Sequence, residues 1–200
     1  NPDWAGQKVY MLCPFEGNQS CIGGKTTEYH NEYTAPNWLA FRLTDDNKFE
    51  FLGEEGYFER TAIHHWDFDS EEEKELQEMQ EGYEKNKVNF EKYGLLVSLQ
   101  YPEYNGKPNF TKFLDHLGGD ILSGNWQGAI DYGQYPKAFD MKLDYEDEDS
   151  DKWIKISYQG NPFYFVASTP NYSWCDGHID AIIMLYEPVS RIVLFTFDYS

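Results

Sequence analysis

Basic charge, cysteine and uninterrupted apolar sequence are all scarce in this chain. Its 200 residues carry 16 Lys and Arg against 35 Asp and Glu, a formal net charge of −19. A surface of that sign repels phosphate backbones and anionic headgroups, which argues against a nucleic-acid binder and against a membrane-surface protein. It attracts cations and basic proteins instead. The longest apolar runs, residues 181–186 and 192–195, fall far short of the roughly 20 residues that cross a bilayer. Three cysteines, Cys13, Cys21 and Cys175, are too few and of the wrong parity for a disulfide framework. The expectation is reduced thiols in a cytoplasmic protein, with a Cys13–Cys21 bridge as the rival.

Templates for chemistry are missing as well. The sequence has no phosphate-binding glycine loop with Lys-Ser/Thr, no dinucleotide fingerprint, no Gly-x-Ser-x-Gly elbow and no His-Glu-x-x-His. Carboxylate pairs are too numerous in so acidic a chain to mark a catalytic pair. The sequence-level expectation is therefore a protein that is not an enzyme and carries no cofactor.

Aromatic side chains are plentiful, with 6 Trp, 16 Tyr and 14 Phe. Disordered chains lack such a load, and a chain of this length buries about 70% of its surface on folding, enough for a core without staples. Residues 38–43 alternate: Trp38, Ala40 and Arg42 share one face, Leu39, Phe41 and Leu43 the other. Thr44-Asp45-Asp46-Asn47 then turns the chain toward Phe49 and Phe51, which predicts a hairpin. Residues 7–13, 95–101, 153–158 and 163–167 also read as strands, the last two joined by a turn at residues 159–162. Residues 179–186 and 192–199 flank a Pro188 turn, and their continuous apolar runs predict strands covered on both faces.

One helix is well signalled. Ser70 and Glu73 form a capping box, and Leu76, Met79, Tyr83, Phe90 and Tyr93 recur at helical spacing with a gap at Asn86 and Lys87. Gly94 supplies the stop, and Gly82 weakens the middle by about 1 kcal/mol relative to Ala. Residues 110–117 predict a second short helix burying Phe113, Leu114 and Leu117, and residues 118–134 read as Gly-rich and irregular. The predicted class is α+β, mainly antiparallel sheet with one or two peripheral helices. It spans residues 1–200 as one domain, or as two packed β-rich halves of about 1–93 and 94–200.

Between residues 144 and 151, six of eight positions are acidic: Asp144, Glu146, Asp147, Glu148, Asp149 and Asp151. Read as a calcium loop from Asp147, the run puts Lys152 where glycine belongs and Tyr158 where glutamate belongs, so it fails that template. It reads as a solvated loop between strands, and as the candidate contact for a basic partner. Cys175 and His178 make half a zinc site; His64 and His65 are the nearest further candidates, which keeps a metal-dependent hydrolase open as a minor alternative. Trp38, Trp66, Trp126, Trp153 and Trp174 could stack sugars. Asn18, Asn109 and Asn171 each begin a glycosylation acceptor triplet. A secreted carbohydrate-binding module, with a leader upstream of Asn1, is accordingly the second reading.

Two short blocks are alike: Cys21-Ile22-Gly23-Gly24-Lys25 and His116-Leu117-Gly118-Gly119-Asp120, each followed by a tryptophan, Trp38 and Trp126. With Gly94-Leu95-Leu96-Val97 and Asn125-Trp126-Gln127, the pattern resembles the YwqG-like family of bacterial proteins of unknown function, although no proline closely follows either Gly-Gly. The resemblance spans scattered blocks within residues 21–127. It implies a β-rich fold with a weak internal duplication and a bacterial cytosolic setting. It also implies relatives sometimes encoded beside toxin genes. Gly23, Gly24, Gly118, Gly119, Trp126 and Gln127 are its structural positions. Charge, missing chemistry and aromatic content together predict an acidic binding protein, an immunity protein that neutralises a basic toxin domain.

Overall fold

The two apolar runs near the end of the chain form the centre of a seven-stranded antiparallel sheet. A computed structural model describes residues 10–14, 21–62, 70–121, 123–144, 154–175 and 177–199. The sheet's strands are β1 (Thr34–Ala35), β2 (Trp38–Leu43), β3 (Phe49–Phe51), β8 (His116–Leu117), β12 (Tyr164–Thr169), β13 (Ala181–Glu187) and β14 (Ile192–Asp198). Their order is β1-β2-β14-β13-β12-β8, with β3 pairing to β2 on the same outer side as β1. Strand β2, from the first half of the sequence, therefore lies against β14 from the last third.

Alternation along these strands fills two cores. Trp38, Ala40, Ile183, Leu185, Ile192 and Leu194 face one side, where Trp126, Met141, Ile154 and Ile156 cover them. Leu39, Phe41, Ile182, Met184, Val193, Phe195 and Phe197 face the other, beneath Ile22 and Tyr57. Both faces of β13 and β14 are thus dry, as their unbroken apolar runs require. The first cover comes largely from a three-stranded sheet of β9 (Asp140–Leu143), β10 (Ile154–Tyr158) and β11 (Asn161–Pro162). The second comes from the loops before β1 and after β3. There Gly23, at φ +71°, lies so close to the Tyr57 ring that an added Cβ would sit 2.4 Å from it. That steric demand explains one glycine of the first Gly-Gly block; Gly118 and Gly119 have φ of +66° and +96°. The two blocks occupy different local structures, a turn-rich loop and an edge strand.

Turns deviate from the sequence reading in informative ways. The turn after β10 is two residues, not four: Gln159 and Gly160 both have positive φ, and Asn161 and Pro162 already pair with Tyr158 and Ser157. Asn105-Gly106 closes a second such hairpin between β5 (Glu103–Tyr104) and β6 (Lys107–Pro108). Pro36-Asn37, with Asn37 at φ +69°, closes a third between β1 and β2. At the β13–β14 turn, the fully buried Glu187 carboxylate accepts the backbone N–H groups of Val189 and Ser190 at 2.6 and 2.8 Å.

Three sequence expectations are corrected. Residues 110–117 form no helix; they supply β7 (Phe110–Thr111), which pairs with β4 (Leu96–Val97), and β8, which extends the main sheet. Phe113 and Leu117 are 38% and 76% exposed rather than buried. Their helical spacing loses to the backbone pairing that two open strand edges offer. Of the strand expected over residues 95–101 only β4 forms, and residues 10–14 are not strand. Between residues 118 and 134 a 3-10 turn, Asn125–Gln127, leads into the short helix α2 (Gly128–Asp131). Among the described residues, no helix is long and apolar enough to cross a membrane.

Candidate binding face around the long helix

The long helix α1 spans Ser70–Tyr93, as the capping and stop signals predict, and Gly94, at φ +66°, donates its N–H to Phe90 at 2.8 Å. Three glutamates in its first turn suit the positive end of the helix dipole. The helix packs on α3 (Tyr172–Cys175) and β4, and contributes to neither of the two sheet cores. Leu76, Met79 and Asn86 are its buried positions. Asn86 fills the apparent gap in the apolar stripe. Its Nδ2 donates to Ser173 O at 2.8 Å, and its Oδ1 accepts Val97 N–H at 3.1 Å, so one side chain joins α1 to both neighbours. Gly82 lets the helix approach α3 closely, with the Cys175 backbone 3.4 Å from where a Cβ would stand.

On one side of this buried stripe lies an acidic cleft of about 540 Å³. Glu75, Glu78, Met79, Glu81, Gly82 and Lys85 form its helical wall, and Leu99, Gln100, Gly177 and His178 the opposite one. Glu78 pairs with Lys74 at 3.3 Å, and Glu81 accepts a hydrogen bond from Gln77 at 2.8 Å, both at exposed positions. Such exposed pairs are worth well under about 1 kcal/mol and leave the carboxylates open to another cation. The helix as a whole carries eight glutamates against four lysines, with six of the glutamates between positions 71 and 81.

An apolar pocket of about 350 Å³ lies on the other side. Tyr83 and Phe90 of α1, Phe113, Leu114, Leu117 and Trp174 are among its walls, and Tyr10, Met11, Leu12 and Cys13 close one flank. The Phe90 and Phe113 rings meet edge to face at 4.9 Å. Trp174 Nε1 donates toward Phe113 O and Thr169 Oγ1, both at 3.2 Å. Nearby, burial pushes the Asp115 carboxyl above its ordinary range, opposed by the charges of His116 and Lys112. Burial also raises the Tyr172 phenol, with Asp115 and Asp180 adding to it.

The predicted site residues fall as follows. Asp144 ion-pairs with Lys155, and the run it opens connects β9 to β10, whose ends Leu143 and Ile154 are register partners. Glu146, Asp147, Glu148, Asp149 and Asp151 lie outside the described residues, as do His64, His65, Trp66 and Trp153. Cys175 is fully buried and its thiol donates to Asn171 O at 3.3 Å, whereas His178 is exposed in the acidic cleft. Among the described residues, no group of three or more His, Cys, Asp or Glu is placed to hold a metal. Cys13 lies beside Cys175, with their sulfurs 3.7 Å apart.

A sugar-stacking platform is corrected at two of its members. Trp38 and Trp126 are 0% and 2% exposed and pack edge to face at 5.6 Å within the first core. The Asn171 triplet is likewise internal: Asn171 is 1% exposed and its Oδ1 accepts Ile179 N–H at 2.7 Å. Sequence reasoning missed the cleft because its walls are 103 residues apart at the extremes, Glu75 and His178. The one local signal was the spacing of Glu75, Glu78 and Glu81 beside the apolar stripe. Comparison of the chain with protein-family models, with curated proteins and with solved structures finds no match.

Proposed function

We propose that this chain is an acidic binding protein of the cytoplasm, an immunity protein that neutralises a basic toxin domain by covering its active surface. The observation that carries the reading is the acidic cleft along α1. Glu75, Glu78 and Glu81 line a concavity large enough for lysine or arginine side chains, on a chain of net charge −19. A domain that attacks nucleic acid must be basic where it binds its substrate, and an acidic inhibitor competes for that same surface. Opposite charge speeds the encounter, and the contact residues then set the lifetime of the complex. The acidic run from Asp144 to Asp151 is the second contact in this proposal. The Gly-Gly blocks that resemble the YwqG-like family belong to the same reading, through that family's occasional proximity to toxin genes.

The test begins with partners captured from the native lysate. The expected partner has an isoelectric point above about 9. Expressed alone it arrests growth, and co-expression of this chain restores it. Affinity falls at least about tenfold between roughly 50 and 300 mM NaCl, because the encounter is screened. Replacing Glu75, Glu78 and Glu81 together by Gln weakens binding by a similar factor and leaves folding intact, since all three are exposed. An affinity indifferent to salt, or a growth arrest that co-expression does not relieve, rejects the proposal.

A further inference from the structure

The segment 10–14 is not held by strand pairing; what ties it to the molecule is side-chain packing. Met11 and Leu12 rest on the second core, and Tyr10 through Cys13 close the flank of the apolar pocket. At the end of that contact Cys13 Sγ stands 3.7 Å from Cys175 Sγ, across 162 residues of sequence. Cys175 sits on α3 with no solvent exposure, whereas Cys13 is only half-buried. Cys13 is therefore the more accessible of the two residues. We propose that Cys13 and Cys175 are a redox pair whose disulfide fixes the segment 10–14 against the apolar pocket.

The sulfurs must close from 3.7 Å to about 2.05 Å for the bond, an approach of under 2 Å. The oxidant is a small-molecule disulfide such as oxidised glutathione. Cys13, as thiolate, attacks one of its sulfurs and forms a mixed disulfide, and the first glutathione leaves and takes up the proton. Cys175 then loses its proton and attacks the Cys13 sulfur, and the second glutathione leaves as a thiol. One small disulfide is reduced, one protein disulfide forms, and two glutathione thiols are released. A hydrogen bond to Cys175, together with burial, pushes the Cys13 thiol well above its ordinary range, so the first step accelerates as pH rises. In a reducing compartment the dithiol is the resting form, and the crosslink answers an oxidised thiol pool. Cys21, on the turn before Gly23, takes no part.

The full chain, equilibrated in a glutathione buffer poised oxidising and then alkylated, provides the test. Expected is, before alkylation, a mass lower by two hydrogens than the reduced chain, and after it a Cys13–Cys175 peptide in the unreduced digest with alkylation at Cys21. Cys21→Ser keeps that linkage and Cys175→Ser abolishes it. The crosslinked chain melts higher by on the order of 5–10 °C, and reductant erases the difference. A Cys13–Cys21 linkage, or three alkylated thiols in the folded chain, overturns the pairing. An unchanged melting temperature overturns the fixing of the segment.

Discussion

The central sheet and the flank built on α1 bury their residues by different means. In β13 and β14 nearly every side chain is withdrawn from water, and the two faces belong to two separate apolar clusters. In α1, among the described side chains, only Leu76, Met79 and Asn86 are buried positions, and one of those is polar. The sheet is held by area removed from water, the flank by one asparagine, two buried apolar side chains, a close approach at Gly82 and part-exposed ring contacts such as Phe90 on Phe113 and Trp174. A region held so lightly keeps most of its surface for charge, which is where the acidic cleft, the apolar pocket and the Cys13–Cys175 pair are found.

The sharpest way to break this contrast is to truncate a side chain in each region. Leu194→Ala removes a fully buried side chain from β14, between β2 and β13. Lost transfer energy and a residual cavity together cost about 3–5 kcal/mol, read as a drop in the urea midpoint at unchanged slope. Any apolar truncation on α1 should cost less. A loss at Met79→Ala equal to that at Leu194 would show that the flank is as essential to folding as the sheet.

Next in size is Asn86→Ala, which leaves Ser173 O and Val97 N–H without the partner they have now. Two buried groups left unsatisfied cost about 2–3 kcal/mol. The effect should be local: exchange of the Val97 amide accelerates, whereas protection in β13 and β14 stays as it was. Uniform acceleration across the molecule would merge the two regions into one cooperative unit.

How much of this was legible in the sequence follows the same divide. Period-two alternation in residues 38–43, turn residues 44–47 and the apolar runs of β13 and β14 specify strands, faces and burial together, because each signal is local and strong. The bounds of α1 were legible for the same reason. The sequence was silent on what depends on distant partners. Asn86 looks like an interruption until α3 and β4 are set beside it, and residues 110–117 look helical until two open edges claim them. Cys13 finds Cys175, 162 residues away, and not Cys21. Local signals that were present but unread are Pro36-Asn37 and Asn105-Gly106, each a turn closed by a positive φ.

The smallest expected effect is the most discriminating, because its sign is decided by packing. Gly82→Ala would gain about 1 kcal/mol of helix propensity in the interior of α1. Against that gain, the new Cβ would stand 2.9 Å from Leu99 Cδ1 and 3.4 Å from the Cys175 backbone. The first contact is with the far end of a flexible side chain on the cleft wall, which can rotate away; the second is ordinary van der Waals distance. A flank that yields in this way makes Gly82→Ala neutral or stabilising by up to about 1 kcal/mol. If instead the variant loses more than about 1 kcal/mol in urea unfolding, α1 and α3 cannot separate by a few tenths of an ångström. The flank would then be packed as rigidly as the sheet.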